Sequence, residues 1–190
     1  MRAMLLAMAF GLGAGLAGCT VQVDLPSVNL GTGSSSLRTG FQRVIIDLST
    51  NEQFMQYQSH FRGLTSASFS MVATNRAAVS QTVRVYGSMN MGLTADNVVS
   101  GATKLTEATI PAGAQNLSVS DQLDSEALAF LSSALQASPP VFAVYIVVEG
   151  DDPSALSFSS ITLVPGAGQF SILSIRAVPG ATPEIEIRIL

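Results

Sequence analysis

The stretch Ser66-Ala67-Ser68-Phe69-Ser70-Met71-Val72-Ala73 places an apolar side chain at every second residue. Successive side chains of a β-strand point to opposite faces, so Phe69 and Met71 share one face and the serines share the other. The pattern predicts a half-buried strand whose outer face carries small hydroxyl groups. One buried and one solvated face are typical of an antiparallel sheet.

Further strands are predicted on both sides of this stretch. Asn75-Arg76 is a turn that leads into a second alternating strand ending at Gly87. The most apolar run outside the first eighteen residues, Val141 to Glu149, is predicted to be a central strand, with Tyr145 and Val147 near the centre of the domain. Other strands are predicted at 41–48, which we expect to be buried on nearly both faces, and at 105–110, 117–119, 156–164, 170–178 and 184–190.

Two short helices interrupt the strands. Ser49 and Glu52 have the spacing of a capping box, which predicts a helix over residues 50–62. Asp124 is the predicted N-cap of a second helix, which ends before Pro139-Pro140. Residues 88–104 are predicted to be a loop, with room for a short strand at Val98-Val99.

This succession of elements predicts the fold class. Eight or nine short strands with turn signals between them, and only two brief helices, indicate a mainly β domain over residues 41–190. Within that class we expect an antiparallel, immunoglobulin-like β-sandwich. The Cys and Trp residues that mark antibody domains are missing, because the chain has one Cys and no Trp.

The first eighteen residues have the layout of an export signal. Arg2 is followed by an apolar run from Ala3 to Leu16 and then by small residues up to Cys19. A helix needs roughly 20 apolar residues to span a bilayer, so this run is short for a permanent membrane helix. Ordinary signal-peptidase cleavage and an uncleaved anchor are two possible fates of this segment.

Leu16-Ala17-Gly18-Cys19 resembles the lipobox of bacterial lipoproteins, which is an aliphatic residue, two small residues and a cysteine. The resemblance implies that residues 1–18 are removed and that Cys19 becomes the lipid-bearing N-terminus. It also implies a membrane partner, held through more than one acyl chain on Cys19, which anchors stably where a single chain does not. Thr20 stands where inner-membrane lipoproteins often carry Asp, so the resemblance implies the outer membrane.

Residues 19–40 are predicted to be a lipidated N-terminus and a flexible tether. Gly31-Thr32-Gly33-Ser34-Ser35-Ser36 has the composition of a flexible linker. A coil of about 20 residues reaches roughly 25 Å and would lift a domain clear of the membrane. The alternative is that Val21 to Leu25 adds an edge strand to the domain.

Composition disfavours several classes of partner. Removal of residues 1–18 takes Arg2 from the 9 basic residues and leaves 13 acidic ones, so the net charge changes from −4 to about −5. Nucleic-acid binding rests on clustered Lys and Arg, so we expect no nucleic-acid partner.

Candidates for chemistry are few. The only histidine, His60, would have to serve any Ser-His-Asp triad, and no Gly-x-Ser-x-Gly elbow accompanies it. We expect a solvated surface histidine; as a general base it would need Ser59, Ser66 or Ser68 as nucleophile. One His and one Cys cannot form the usual zinc site. Calcium could bind if Asp121, Asp124 and Glu126 lay close to Asp151-Asp152. We expect instead that Asp121 and Asp124 cap a helix and that Asp151-Asp152 form a turn.

These observations predict a protein that is not an enzyme and has no cofactor or metal. We expect an envelope-anchored lipoprotein with a structural or protein-interaction role and an envelope protein as its partner. A ligand- or glycan-binding β-sandwich module is the alternative, and a hydrolase is a weaker second alternative.

Overall fold

The structure is a computed structural model that describes residues 20–24, 27–32 and 40–171. Within these residues it is mainly β, with short helices. The strands are β1 (Thr20–Asp24), β2 (Val28–Thr32), β3 (Phe41–Asp47), β4 (Phe61–Leu64), β5 (Ala67–Asn75), β6 (Gln81–Ser88), β7 (Thr103–Ile110), β8 (Leu117–Gln122), β9 (Val141–Glu149), β10 (Leu156–Pro165) and β11 (Ala167–Ser171). The helices are α1 (Glu52–Tyr57), α2 (Val98–Gly101) and α3 (Ser125–Gln136).

Eight of the strands form two four-stranded antiparallel sheets that share one hydrophobic core. The first sheet has the order β2-β10-β5-β8 and the second has the order β3-β9-β6-β7. Along the chain, the first of these eight strands lies beside the eighth, the second beside the seventh, the third beside the sixth and the fourth beside the fifth. This nested pairing is the strand order of a double-sheet jelly roll.

The antiparallel, mainly β class predicted from the sequence is confirmed, but the immunoglobulin-like arrangement is not. Immunoglobulin sheets have the strand orders ABED and CFG, in which the first two strands of the chain share a sheet. Here β2 and β3 lie at the edges of different sheets. Strand lengths and turn signals are the same in both folds, so the sequence pattern could not separate them.

Strand β5 forms as its period of two predicts. Its residues alternate between buried and half-buried along its whole length, and Phe69 and Met71 lie in the shared core. Asn75 at its end is fully buried, and its Nδ2 donates to the carbonyl oxygens of Val79 at 2.9 Å and Pro111 at 3.0 Å. These bonds tie the β5–β6 turn to the β7–β8 turn.

Strand β9 is central, as predicted, and is covered on both faces. Val144 and Ile146 point into the core between the sheets, while Ala143 and Tyr145 pack in a second cluster on the outer face. Val147 was expected near the domain centre, but it is half-buried and belongs to that outer face. The period of two explains this, because residues 146 and 147 must point in opposite directions.

Both predicted helices are present, and the sequence predicted α3 more accurately than α1. Helix α3 begins after Asp124, whose Oδ1 accepts from the backbone N–H of Ala127 at 2.9 Å, as expected for an N-cap. Helix α1 is shorter than predicted and is capped by Asn51, whereas Ser49 instead bonds the side chain of Asp47. The predicted capping box at Ser49 is therefore wrong, because the helix begins later and the Asn51 side chain accepts from the backbone N–H of Phe54.

Two details of the remaining elements differ from the sequence prediction. Strand β3 was expected to be buried on nearly both faces, but Ile45 is 50% exposed because β3 is an edge strand. Val98 and Val99 belong to helix α2 instead of a short strand.

A third sheet with the order β1-β11-β4 includes residues from the range that was predicted to be a flexible tether. Thr20 to Asp24 pairs antiparallel with β11 from Ser171 to Ala167, and Val28 to Thr32 pairs with β10. The edge-strand alternative covered Val21 to Leu25; its described part, Val21 to Asp24, is an edge strand, and Leu25 lies outside the described residues. Residues 1–19, which include the signal and Cys19, residues 25–26, residues 33–39 and the predicted strands after Ser171 lie outside the described residues.

Connections between strands gather at two opposite ends of the jelly roll. The turns 76–80, 111–116 and 150–155 meet at one end, where the backbone N–H of Arg76 donates to the carbonyl of Ala155 at 2.9 Å. The connections 48–60 and 123–140 meet at the other, where the N–H of Leu48 donates to the carbonyl of Pro140 at 3.1 Å. The 89–102 connection also starts and ends there, but it folds over the outer face of the second sheet. Sheet β1-β11-β4 extends from this second end, which we call the Thr20 end.

Candidate interaction surfaces

The outer face of sheet β2-β10-β5-β8 is lined by small uncharged side chains. Its core side holds Phe69, Met71, Ile161 and Leu163, so the alternate residues point outward. We call the outward set on β10, β5 and β8 the hydroxyl face. Its members are Ser68, Ser70, Val72, Thr74, Ser118, Ser120, Gln122, Ser157, Ser160, Thr162 and Val164.

The strand register sets these side chains in rows. Thr162, Ser70 and Ser120 lie side by side across three strands, and so do Val164, Ser68 and Gln122. Neighbouring strands are about 4.8 Å apart, and outward residues of one strand recur about every 6.7 Å. The face therefore presents rows of mainly hydroxyl side chains, and the register between β10 and β5 shifts once, between Phe158 and Ser160.

The hydroxyl face is open and without formal charge. Ser118, Ser120 and Gln122 on the edge strand β8 are exposed, and the members on β5 and β10 are half-exposed. Within the described residues, the hydroxyls of Ser70 and Thr162 have no intramolecular hydrogen-bond partner. Such hydroxyls can donate to and accept from another molecule.

The outer face of the opposite sheet carries an ion-pair network instead. Arg84 on β6 bonds Glu107 on β7 at 2.9 Å and also contacts Glu149 on β9, while Lys104 lies 3.4 Å from Glu107. The hydrogen bond from Arg84 lowers the pKa of Glu107, and the same bond raises the pKa of Arg84. The two outer faces of the jelly roll therefore differ sharply in charge.

The 89–102 connection covers part of this second face. Leu93 and Val98 pack on Tyr145 of β9, whose ring also stacks on Phe41 at a centroid distance of 5.8 Å. The Tyr145 hydroxyl donates to the carbonyl of Asn90 at 2.6 Å and accepts from the N–H of Leu93 at 3.3 Å. This sheet face is thus closed locally, whereas the hydroxyl face stays open.

Of the residues singled out from the sequence for chemistry, Cys19 lies outside the described residues and His60 does not form a triad. His60 is half-buried instead of fully solvated, and its Nδ1 is buried without a hydrogen-bond partner among the described residues. Ser66 Oγ accepts from the backbone N–H of Ala167 at 3.3 Å. No described serine hydroxyl bonds His60, so the geometry holds no assembled nucleophile and base.

The acidic residues considered for calcium have separate local roles. Asp121 accepts from the hydroxyl of Thr106 at 2.7 Å, and Asp124 caps α3. Asp152 accepts from the hydroxyl of Ser154 at 2.5 Å. In the part of the chain that the structure describes, no group of three or more His, Cys, Asp or Glu side chains is placed to hold a metal.

The sequence predicted all three strands of the hydroxyl face but indicated a hydroxyl-bearing outer face only for β5. The serines of β5 were identified by their period of two, but assembling the rows required the register with β8 and β10. For β8, the sequence signal of this face was the alternation of Ser118 with Ser120.

No helix of the described ranges is long and apolar enough to cross a bilayer.

Comparison with known proteins gives only distant likenesses. No protein-family model matches the sequence, and no curated protein matches it. The fold is similar to a solved structure of Desmodium yellow mottle tymovirus at 13% identity and a TM-score of 0.45, with 90% of this chain and 97% of that chain covered. A turnip yellow mosaic virus structure has 13% identity and a TM-score of 0.45 over 95% and 94% of the two chains. A xylan-binding module CBM15 has 13% identity and a TM-score of 0.37 over 78% and 97%.

Proposed function

We propose that this protein is a non-catalytic lipoprotein of the bacterial envelope, anchored by acyl chains on Cys19, that presents its hydroxyl face to an envelope protein partner. The lipobox resemblance at Leu16-Ala17-Gly18-Cys19 supports the anchor and, through Thr20, the outer membrane. The observation that carries the interaction role is the open and uncharged set of rows on β5, β8 and β10.

The chemistry of the hydroxyl face suits reversible contact with another protein. Small side chains such as Ser70 and Ser120 lose little conformational freedom when they are covered. Uncharged hydroxyls also cost far less to desolvate than ionised groups, provided that the partner supplies hydrogen bonds. The face can therefore be buried without the penalty that the Arg84 network on the opposite sheet would incur.

The size of the face indicates a weak complex. Three strands about 4.8 Å apart and four rows about 6.7 Å apart outline roughly 400 Å². A standard stable interface buries about 800 Å² on each partner, so a contact confined to this face is in the size class of transient complexes. Protein interfaces are usually enriched in aromatic residues and depleted in serine. Because this face offers hydroxyls instead of aromatic anchors, the partner would be held by many modest hydrogen bonds.

A glycan is the second candidate partner, because hydroxyl rows can exchange hydrogen bonds with sugar hydroxyls. The members of the face include no aromatic side chain, however, and polysaccharide rings would have only hydroxyls and two valines, Val72 and Val164, to contact. A protein that supplies its own backbone and side-chain donors fits this surface better.

Site-specific photo-crosslinking on intact cells tests the proposal. A photoreactive amino acid is placed in the full-length chain at Ser70 or Ser120, and at Thr109 as a matched control. Thr109 is an exposed strand residue on the opposite sheet. We expect the same discrete protein adduct from positions 70 and 120, no such adduct from 109, and its loss when Thr162→Arg adds a charge to the face.

Three results would count against this reading. Equal adducts from all three positions would show unspecific contact, and no protein adduct with retained glycan pull-down would favour the glycan alternative. An adduct that survives Thr162→Arg unchanged would place the partner elsewhere. Circular dichroism of each variant verifies that the jelly roll is intact.

A further inference from the structure

Paired backbone begins directly after the proposed lipidation site. Thr20 is the first residue of β1 and lies opposite Ser171 in the ladder with β11. Cys19 is covalently joined to Thr20, so the two Cα atoms are about 3.8 Å apart. A lipid on Cys19 would therefore leave no free tether between the membrane and the sheet.

This placement determines which end of the domain meets the bilayer. A coil of about 20 residues would allow a separation of roughly 25 Å, whereas one peptide unit allows only a few ångströms. The sheet β1-β11-β4 must then sit at the membrane surface, with the Thr20 end toward the lipid and the 76–80, 111–116 and 150–155 turns away from it.

Several exposed apolar side chains lie in the connections that begin at the same end. Among the described residues, the large hydrophobic side chains that remain exposed are Ile45, Met55, Val79, Met89, Met91 and Val99. Met55 is in the 48–60 connection, and Met89 and Val99 are near the two ends of the 89–102 connection. Met91 is further along that connection, over the outer face, where its carbonyl accepts from Nη1 of Arg43 at 2.5 Å. Of these six, Val79 alone belongs to a turn at the opposite end.

The strand register places several of these residues close together. Ile45 on β3 lies opposite Ala143 on β9, which in turn lies opposite Ser88 on β6, directly before Met89. The Ser88 hydroxyl donates to the carbonyl of Gly101 at 3.2 Å, which holds the segment carrying Val99 (58% exposed) beside the same row.

We propose that the Thr20 end is a membrane-docking surface, on which Met55, Met89 and Val99 contact the bilayer that holds the acyl chains of Cys19. This inference rests on the proposed lipidation. Apolar side chains on surface loops bury in the interfacial region of a bilayer, and flexible Met side chains adapt to an irregular lipid surface. The docked orientation leaves the hydroxyl face lateral to the membrane, where an envelope partner can reach it.

Single-cysteine labelling of the full-length protein tests the docking surface. The chain has one Cys, and lipidation blocks its sulfur, so an added Cys is the only free thiol. A fluorophore is attached at Val99→Cys or Met89→Cys and, as a matched control, at Val79→Cys, which is 43% exposed at the opposite end. The lipidated variants are reconstituted into vesicles of phosphatidylethanolamine and phosphatidylglycerol that carry a spin-labelled quencher lipid.

We expect loss of fluorescence at positions 99 and 89 and retention at 79. Equal quenching at 79 and 99 would overturn the docking surface, and mass spectrometry of the same sample showing acylated Cys19 would leave the proposed anchor standing. An unacylated Cys19 would contradict both the docking surface and the proposed anchor. Protection of position 99 in intact cells but not in these protein-free vesicles would overturn the inference in favour of a protein cover.

Discussion

Ile146→Asp and Val147→Asp form a matched pair that tests the assignment of the two faces of β9. Ile146 is fully buried in the core between the two sheets. Val147 is half-buried on the outer face and lies directly opposite Arg84 on β6. The two substitutions introduce the same carboxylate at neighbouring positions, but only one of them would be placed in the core.

The expected losses of unfolding free energy differ because Ile146 is more deeply buried than Val147 and because Arg84 lies opposite Val147. Full burial of an Ile side chain contributes about 1.5–3 kcal/mol, and a buried carboxyl without a partner adds a desolvation cost of several kcal/mol. Ile146→Asp should therefore cost more than about 4 kcal/mol, which approaches the whole stability of many domains. Val147→Asp loses only part of a Val side chain and gains a cation across the strand, so we expect about 1 kcal/mol.

Urea unfolding of the full-length protein in detergent, followed by circular dichroism, measures both changes. We expect a large fall in the unfolding midpoint for Ile146→Asp, or no folded protein, and a small fall for Val147→Asp. Equal losses, or a greater loss for Val147→Asp, would refute the assignment of Ile146 to the core.

Further predictions concern packing, pH and chemistry. Gly87→Ala places a Cβ against the ring of Phe130 on α3, so we expect a loss of about 1–3 kcal/mol from overpacking, measured by urea unfolding. Arg84 lowers the pKa of Glu107, so this pair stabilises the fold above the ordinary Glu pKa and the contribution is lost as the pH falls through the lowered value. Glu107→Gln should therefore flatten the acid side of a melting-temperature profile, with the smallest difference at high salt. His60→Ala should leave the crosslinked adduct from the hydroxyl face unchanged, and loss of a hydrolytic activity on this substitution would contradict the non-enzymatic reading.

Local sequence signals predicted the elements that depend only on residues close together along the chain. The alternation through Phe69 and Met71 predicted β5, and Asp124 predicted the start of α3, because a period and a cap are properties of a few consecutive residues. The continuous apolar run around Tyr145 predicted a central strand, since only a strand covered on both faces keeps apolar residues at consecutive positions.

Long-range pairing could not be predicted in the same way. The segment beginning at Thr20 has a linker-like neighbourhood, and its strand forms because β11, about 150 residues later, provides an edge. The choice between an immunoglobulin-like sandwich and a jelly roll likewise depends on which strands pair. The hydroxyl face depends on the same register, so the alternating serines of β5 and β8 could be read from the sequence but their assembly into one face could not.

Mass spectrometry of the mature N-terminus tests most directly whether the domain is anchored through lipid on Cys19. Cells are labelled with a fatty acid, and the wild-type chain is compared with Cys19→Ser. We predict a mature chain that begins at an acylated Cys19, and a Cys19→Ser chain that is unprocessed, unlabelled and not retained in the membrane as a lipoprotein. A mature wild-type chain that begins at an unmodified Gly18 or Thr20 would contradict this prediction.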